Sequence, residues 1–153
     1  MVSSIEIRVV CVMKRKNTDQ LLKELMDSND LSRVLSDNSA CFREGDLPHG
    51  LQALFDQQDM SKSALAKASG ISEVYLHQVF SGRRTPSRDR LLCLCIGLGA
   101  STEETQSLLQ QAHHAPLYAR DKRDAVLLFG LSHSLTLPEI NDALFTAGAE
   151  TLL

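Results

Sequence analysis

Apolar positions recur at three- and four-residue spacing along most of this chain, a pattern that predicts helices rather than strands. Thr18 and Asp19 can cap a first helix carrying Leu21, Leu22, Leu25 and Met26, and Asp27 to Asp30 breaks it. A second short helix takes Leu31, Val34 and Leu35, and Phe42 reads as an anchor for the loop that follows. Asp46 and Pro48 open a helix through Leu51, Leu54 and Phe55. Pro86 and Ser87 start another, RDRLLCLCIGLG, which ends at Gly97 or Gly99. Its Leu91, Leu92, Cys95, Ile96 and Leu98 leave it almost wholly apolar, so it is expected at the centre of the core. Residues 1–12, MVSSIEIRVVCV, alternate weakly like a strand with no partner strand in the rest of the chain. Either Met13 is the initiator or residues 1–12 are disordered; a short ordered β-segment is the remaining alternative.

The most informative stretch is residues 61–84, SKSALAKASGISEVYLHQVFSGRR. Ser61 can cap a helix over about 61–69, with Leu65 and Ala66 on one face and Ala66 small enough for a close crossing. Gly70 falls where that helix must stop and the chain must reverse, a left-handed position that costs a Cβ-bearing residue roughly 1–2 kcal/mol. Ile71 points back inward, Ser72 is the next cap, and Val74, Leu76, Val79 and Phe80 give a helix over about 72–81 its apolar positions. Two short helices about a glycine turn make a helix-turn-helix, which holds its second helix where it can enter a DNA major groove.

This segment resembles the phage-repressor (Xre/Cro-type) helix-turn-helix family in Leu65, Ala66, Gly70, Ile71, Ser72, Leu76, Val79, Gly82, Arg83, Arg84 and Pro86. The similarity runs from about Leu51 to Thr102 and departs from the family at Ser69, usually apolar, and at Phe80, often acidic. The chain also looks like longer bacterial members with helices on both sides of the domain. The resemblance implies an all-α fold, a five-helix lambda-repressor-like DNA-binding domain flanked by additional helices. The expected layout is 1–16 disordered or misassigned, 17–45 an N-terminal helical segment, 46–114 the helix-turn-helix domain with its motif at 62–81, and 115–153 a C-terminal helical hairpin.

The family's base-contacting positions fall on Glu73, Val74, His77 and Gln78. Gln78 can pair in bidentate fashion with adenine, worth about 1–3 kcal/mol of discrimination. Val74 can pack on a thymine methyl, and His77 can donate or accept. Glu73 repels phosphates but can accept from a cytosine amino group, and a carboxylate in a first helical turn is also favourable for purely structural reasons. Lys62 matches the family position that clamps the DNA backbone. Ser61 and Ser81 can donate hydroxyls, and Arg83 and Arg84 can fork onto phosphates. Tyr75 either reaches a phosphate through its hydroxyl or packs under the preceding helix, and Arg88 and Arg90 either join these anchors or pair with Asp89 and neighbouring acids.

The last third contains an internal echo. Arg88-Asp89 recurs as Arg123-Asp124, an offset of 35 residues, and at that offset Leu92 aligns with Leu127, Ser101 with Thr136, Glu104 with Glu139, Leu109 with Leu144 and Ala112 with Ala147. Each copy reads as an apolar helix, a short loop, a capping box and an amphipathic helix. The two are read as packed helical hairpins separated by a bend at Ala115-Pro116-Leu117-Tyr118, with chance similarity of amphipathic helices as the alternative.

Composition then narrows the function. The chain has 153 residues, 43% hydrophobic and 23% charged, which suits a globular protein. The net charge is −3, yet residues 51–90 carry six basic and four acidic residues, whereas 91–153 carry three basic and seven acidic. The helix-turn-helix is therefore the one basic region. No stretch approaches 18 uncharged apolar residues and no signal peptide is evident, so no membrane association and a cytoplasmic location are expected. Cys11, Cys41, Cys93 and Cys95 lack metal-binding spacing. His113-His114 are adjacent and point apart on a helix, and His49 and His133 read as capping or surface residues. No phosphate-binding glycine loop, HExxH or nucleophile elbow occurs, so neither an enzyme nor a cofactor is expected. Lys14-Arg15-Lys16 is either a minor-groove arm or a solvated terminus. The resulting reading is a sequence-specific DNA-binding transcriptional regulator that acts on double-stranded DNA as a homodimer. Its competitor is an adaptor that keeps the repressor fold and takes a protein partner through its C-terminal helices.

Overall fold

The structure, a computed structural model, describes residues 17–42 and 46–153. The readings made of residues 1–16 lie outside the described residues. Every regular element described is helical, and the chain falls into two compact units, Met1–Glu44 and Gly45–Leu153.

The first unit is a short helical pair, α1 (Thr18–Asp27) and α2 (Leu31–Asp37), followed by a 3-10 turn at Ser39–Cys41. The cap of α1 is Asn17, not Thr18 or Asp19. Asn17 Oδ1 accepts from the Gln20 amide at 2.8 Å while Gln20 Oε1 accepts from the Asn17 amide at 3.1 Å, a complete capping box that Thr18 cannot form one residue further on. Asp30 caps α2, and Asn38 ties the pair together by donating to Glu24 Oε1 at 3.0 Å and to the Val34 carbonyl at 2.8 Å. Val34 is buried, but Leu22, Leu25, Met26, Leu31 and Leu35 remain exposed.

The second unit contains α3 (Leu47–Asp56), α4 (Lys62–Ser69), α5 (Glu73–Phe80), α6 (Arg88–Leu98), α7 (Thr102–Gln111), α8 (Lys122–Ser132) and α9 (Leu137–Thr146). One hydrophobic core runs through it from Leu47 to Leu152, so segments 46–114 and 115–153 share a single interior. Helix α6 is at its centre, buried from Leu91 to Ile96 and again at Leu98. It ends at Gly99, left-handed at φ 66°, which leaves Gly97 inside the helix. That placement explains the serine at 69. Built onto Gly97, a Cβ would stand 3.1 Å from Ser69 Cβ and 3.2 Å from the Ser69 amide nitrogen, so α4 and α6 cross almost backbone to backbone. A larger apolar residue at 69 has no room there. Ser69, fully buried, satisfies its hydroxyl by donating to the Leu65 carbonyl at 2.7 Å.

The 35-residue echo is a structural repeat. Its first copy is α6–α7 and its second α8–α9, and the side-chain hydrogen bonds of Arg88 and Gln106 recur at Arg123 and Asn141. Arg88 donates through Nε to the Ala115 carbonyl at 2.9 Å, and Arg123 through Nε to the Glu150 carbonyl at 2.8 Å. Gln106 makes a two-way amide clasp with Leu117, and Asn141 makes the same clasp with Leu152. The hydroxyl half of each capping box forms, Ser101 accepting from Glu104 at 3.1 Å and Thr136 from Glu139 at 3.5 Å, but the carboxylate half forms in neither.

Candidate nucleic-acid interface

Helix α5 is fixed from three sides. Ser72 Oγ accepts from the Tyr75 amide at 3.2 Å and caps its start. Leu76 and Val79, both fully buried, hold its inner face. At its far end the Gln78 carbonyl accepts from the Arg83 and Arg84 amides at 3.0 and 3.2 Å, a sharp closure that Gly82 permits at φ 79°. Gly70, at φ 66°, sets the helix's direction, with the Ile71 amide donating back to the Ala66 carbonyl at 3.1 Å.

The outer face of α5 borders an open cleft of about 540 Å³. Val74, His77 and Gln78 line it from the helix, and Lys62, Ser81 and Arg83 line it from the segments on either side. The structure thus brings together three of the four base-contacting candidates and three of the phosphate anchors. Val74 is 69% exposed, an apolar side chain kept in solvent on an otherwise well-packed helix. Glu73 lies outside the cleft lining, 4.0 Å from His77 Nε2. Ser61 caps α4 by accepting from the Ala64 amide at 3.1 Å. Ser81 donates its hydroxyl to the Gln78 carbonyl at 3.1 Å, so that proton is already engaged.

Two residues acquire roles not read from the sequence. Gln52 on α3 lines the cleft and donates to Asp56 Oδ1 at 2.8 Å; its only signal was its position one turn into the helix that Pro48 opens. Phe80, buried where the resembling family often has an acid, packs edge-on against Phe55 at 5.6 Å. The Lys62 ammonium sits 4.8 Å above the Phe80 ring, so an aromatic face holds this cation at the cleft in place of a carboxylate.

The remaining cations sort cleanly. Arg88 is not a free anchor, because it forks onto Asp124 at 3.2 and 3.0 Å rather than onto Asp89. Asp89 instead receives Arg123 at 2.9 and 3.0 Å, which pushes the Arg123 pKa up. Arg90 forms no ion pair among the described residues; its guanidinium lies 4.5 Å over the Tyr75 ring, and that of Arg84 lies 5.3 Å from the same ring. Tyr75 is therefore buried and packed.

The histidines lie apart from the cleft except for His77. His114 Nε2 sits 2.8 Å from the Pro86 carbonyl, and His113 takes a left-handed turn at φ 59°. His49 bonds Asp46 at 2.6 Å in the first turn of α3 and lowers the Asp46 pKa. His133 bonds the Phe129 carbonyl at 2.8 Å and stacks on its ring. Burial pushes the Cys93 and Cys95 thiols up to about 12. No cluster of three metal-ligating side chains occurs among the described residues.

The described residues form an all-α fold that contains a helix-turn-helix, α4 and α5 about the Gly70 turn. In agreement, residues 46–108 match a family model described as a helix-turn-helix domain. No curated protein and no solved structure was found to match the chain. Among the described residues no helix is long and apolar enough to cross a membrane.

Proposed function

We propose that this chain is a sequence-specific DNA-binding transcriptional regulator of Xre/Cro type, cytoplasmic and bacterial, without enzymatic activity. Its α5 reads the major groove. The observation that carries the reading is the open cleft in which Gln78, His77 and Val74 stand beside Lys62 and Arg83. Base-edge chemistry and phosphate-binding charge meet there on one surface, as groove recognition requires. Glu73 reaches cytosine amino groups at the helix start, Arg84 adds a phosphate contact, and Ser61 is the neutral backbone contact, the Ser81 hydroxyl and the Tyr75 ring being committed within the protein. Two copies pair about a two-fold axis so that two recognition helices meet successive turns of DNA.

A second reading, a protein-binding adaptor, is favoured by Phe129 and Phe145 on the C-terminal helices, 56% and 79% exposed. Duplex binding measured across salt concentration separates the two readings. With Lys62→Ala, affinity should fall for every sequence and the log–log salt slope should shrink by about one. With Gln78→Ala, the slope should hold while base preference relaxes at one position. Wild-type protein that binds no duplex even at low salt would leave the adaptor reading standing.

A further inference from the structure

Tyr75 carries two positive charges on its ring. The Arg90 guanidinium carbon lies 4.5 Å from the ring centroid and that of Arg84 lies 5.3 Å from it. The two charges are therefore no further apart than about one Debye length, ~8–10 Å, at physiological salt. Like charges at that separation repel, and a carboxylate between them is the usual remedy. None is present: neither arginine forms an ion pair among the described residues, although the same region pairs Arg88 and Arg123 with acids. Both arginines are exposed, and the ring beneath them is buried. Arg90 and Tyr75 also wall a recess of about 340 Å³ that is completed by Ile71, Ser72 and the Gly70 turn, with Leu153 at its edge.

From this we infer that Arg90 and Arg84, stacked on Tyr75, form a phosphate clamp at the turn side of α5, separate from the Lys62–Arg83 cleft. A guanidinium laid over an aromatic face keeps its N–H edges outward, the arrangement that forks onto phosphate oxygens. Stacking also restricts a side chain that otherwise loses much rotamer freedom on binding. Two cations held on one ring without a counter-ion favour an anion carrying more than one accepting oxygen. The ligand is a phosphodiester of the duplex backbone, gripped beside the Gly70 turn by groups that do not line the cleft. Arg90 becomes a backbone-contacting residue, and Tyr75 a positioning residue that acts through its ring rather than its hydroxyl.

The inference rests on the DNA-reading assignment only for the source of the phosphate, and the test separates the two. Full-length protein is titrated with a duplex of arbitrary sequence at several salt concentrations. Arg90→Ala should weaken binding about five- to ten-fold at ~0.1 M salt and reduce the slope by about one, without changing base preference. Tyr75→Phe should bind as wild type, since the ring is retained, and Arg90→Lys should recover only part of the loss. Wild-type affinity and slope in Arg90→Ala would overturn the clamp while leaving the cleft reading intact. In parallel, the arginine Nε–H resonances are followed as inorganic phosphate is added. Saturable shifts at Arg84 and Arg90 in the wild type, lost at Arg84 in Arg90→Ala, support the clamp even if no duplex binds. Unmoved resonances, where no duplex binds, reject it.

Discussion

Arg88 grips Asp124 through two parallel hydrogen bonds, at 3.2 and 3.0 Å, and 35 residues along the chain Arg123 grips Asp89 in the same way. Each arginine of the repeated Arg-Asp dipeptide thus holds the aspartate of the other copy. Neither pair is well solvated: the side chains of Arg88 and Asp124 are 24% and 10% exposed, those of Arg123 and Asp89 20% and 39%. Each arginine also binds two carbonyls of the segment that closes its own repeat.

Removing Arg88 should therefore cost more than removing Arg123. Arg88→Ala leaves the Asp124 carboxylate nearly buried without its partner, and is expected to lose about 2–4 kcal/mol of stability, below the ~3–5 of a fully buried pair. Arg123→Ala is expected to lose about 1–2 kcal/mol, because solvent reaches Asp89. Urea unfolding of both variants, with a double-mutant cycle against Asp124→Ala, checks the ranking. Equal or negligible losses would mean that the crossed pairs are incidental to the repeat.

The α4–α6 crossing should tolerate no added atom. Gly97→Ala gains up to about 1 kcal/mol of helix propensity but drives a Cβ to 3.2 Å from the Ser69 amide nitrogen, a backbone atom that cannot step aside. A net loss of about 1–2 kcal/mol is expected, with α4 and α5 amides losing protection in hydrogen exchange. A gain in stability would show that the helices can separate freely.

Lys62 should depend on the aromatic ring beneath it. Phe80→Leu keeps an apolar core residue but removes the face 4.8 Å under the ammonium. A cation–π contribution of ~0.5–1 kcal/mol corresponds to a two- to five-fold loss of affinity for any duplex. In a Lys62→Ala background the same substitution should change affinity little, which a double-mutant cycle reads directly.

Alkaline pH should destabilise the fold through its thiols. Burial raises Cys93 and Cys95 from 9.0 to about 12, so the folded state holds protons that the unfolded chain releases near pH 9. Their contribution is fully present below pH 9 and is lost as pH rises from about 9 to 12. Unfolding midpoints at pH 8 and pH 10.5 should fall less in Cys95→Ala than in wild type. Equal falls would place the alkaline sensitivity on other groups.

Most of the helix-turn-helix was legible because its signals are local. A glycine at 70, serine caps at 61 and 72, and apolar spacing from Leu65 to Phe80 each constrain the backbone within a few residues. The repeat was legible as an offset, but the crossing of its arginines was not, since pairing between copies depends on how α6 packs with α8 and α9. The sequence marked Ser69 and Phe80 as departures from the resembling family without a reason. Each reason is a tertiary neighbour: Gly97 for the first, Phe55 with Lys62 for the second. Asn17, Thr18 and Asp19 are all good capping types, and only the reciprocal bond with Gln20 decides among the three. Arg90 could not be sorted from Arg88 by sequence because both flank Asp89.

The central claim is that the exposed edge of α5 distinguishes one DNA sequence from another. Selection of bound duplexes from a randomised pool by the full chain at ~0.1 M salt tests it directly. The expected result is a single enriched motif, with half-sites about one helical turn (~34 Å) apart, that loses definition at one base pair per half-site with Gln78→Ala. A pool recovered without enrichment, or an enriched motif identical in wild type and in the variants at Val74, His77 and Gln78, would contradict it.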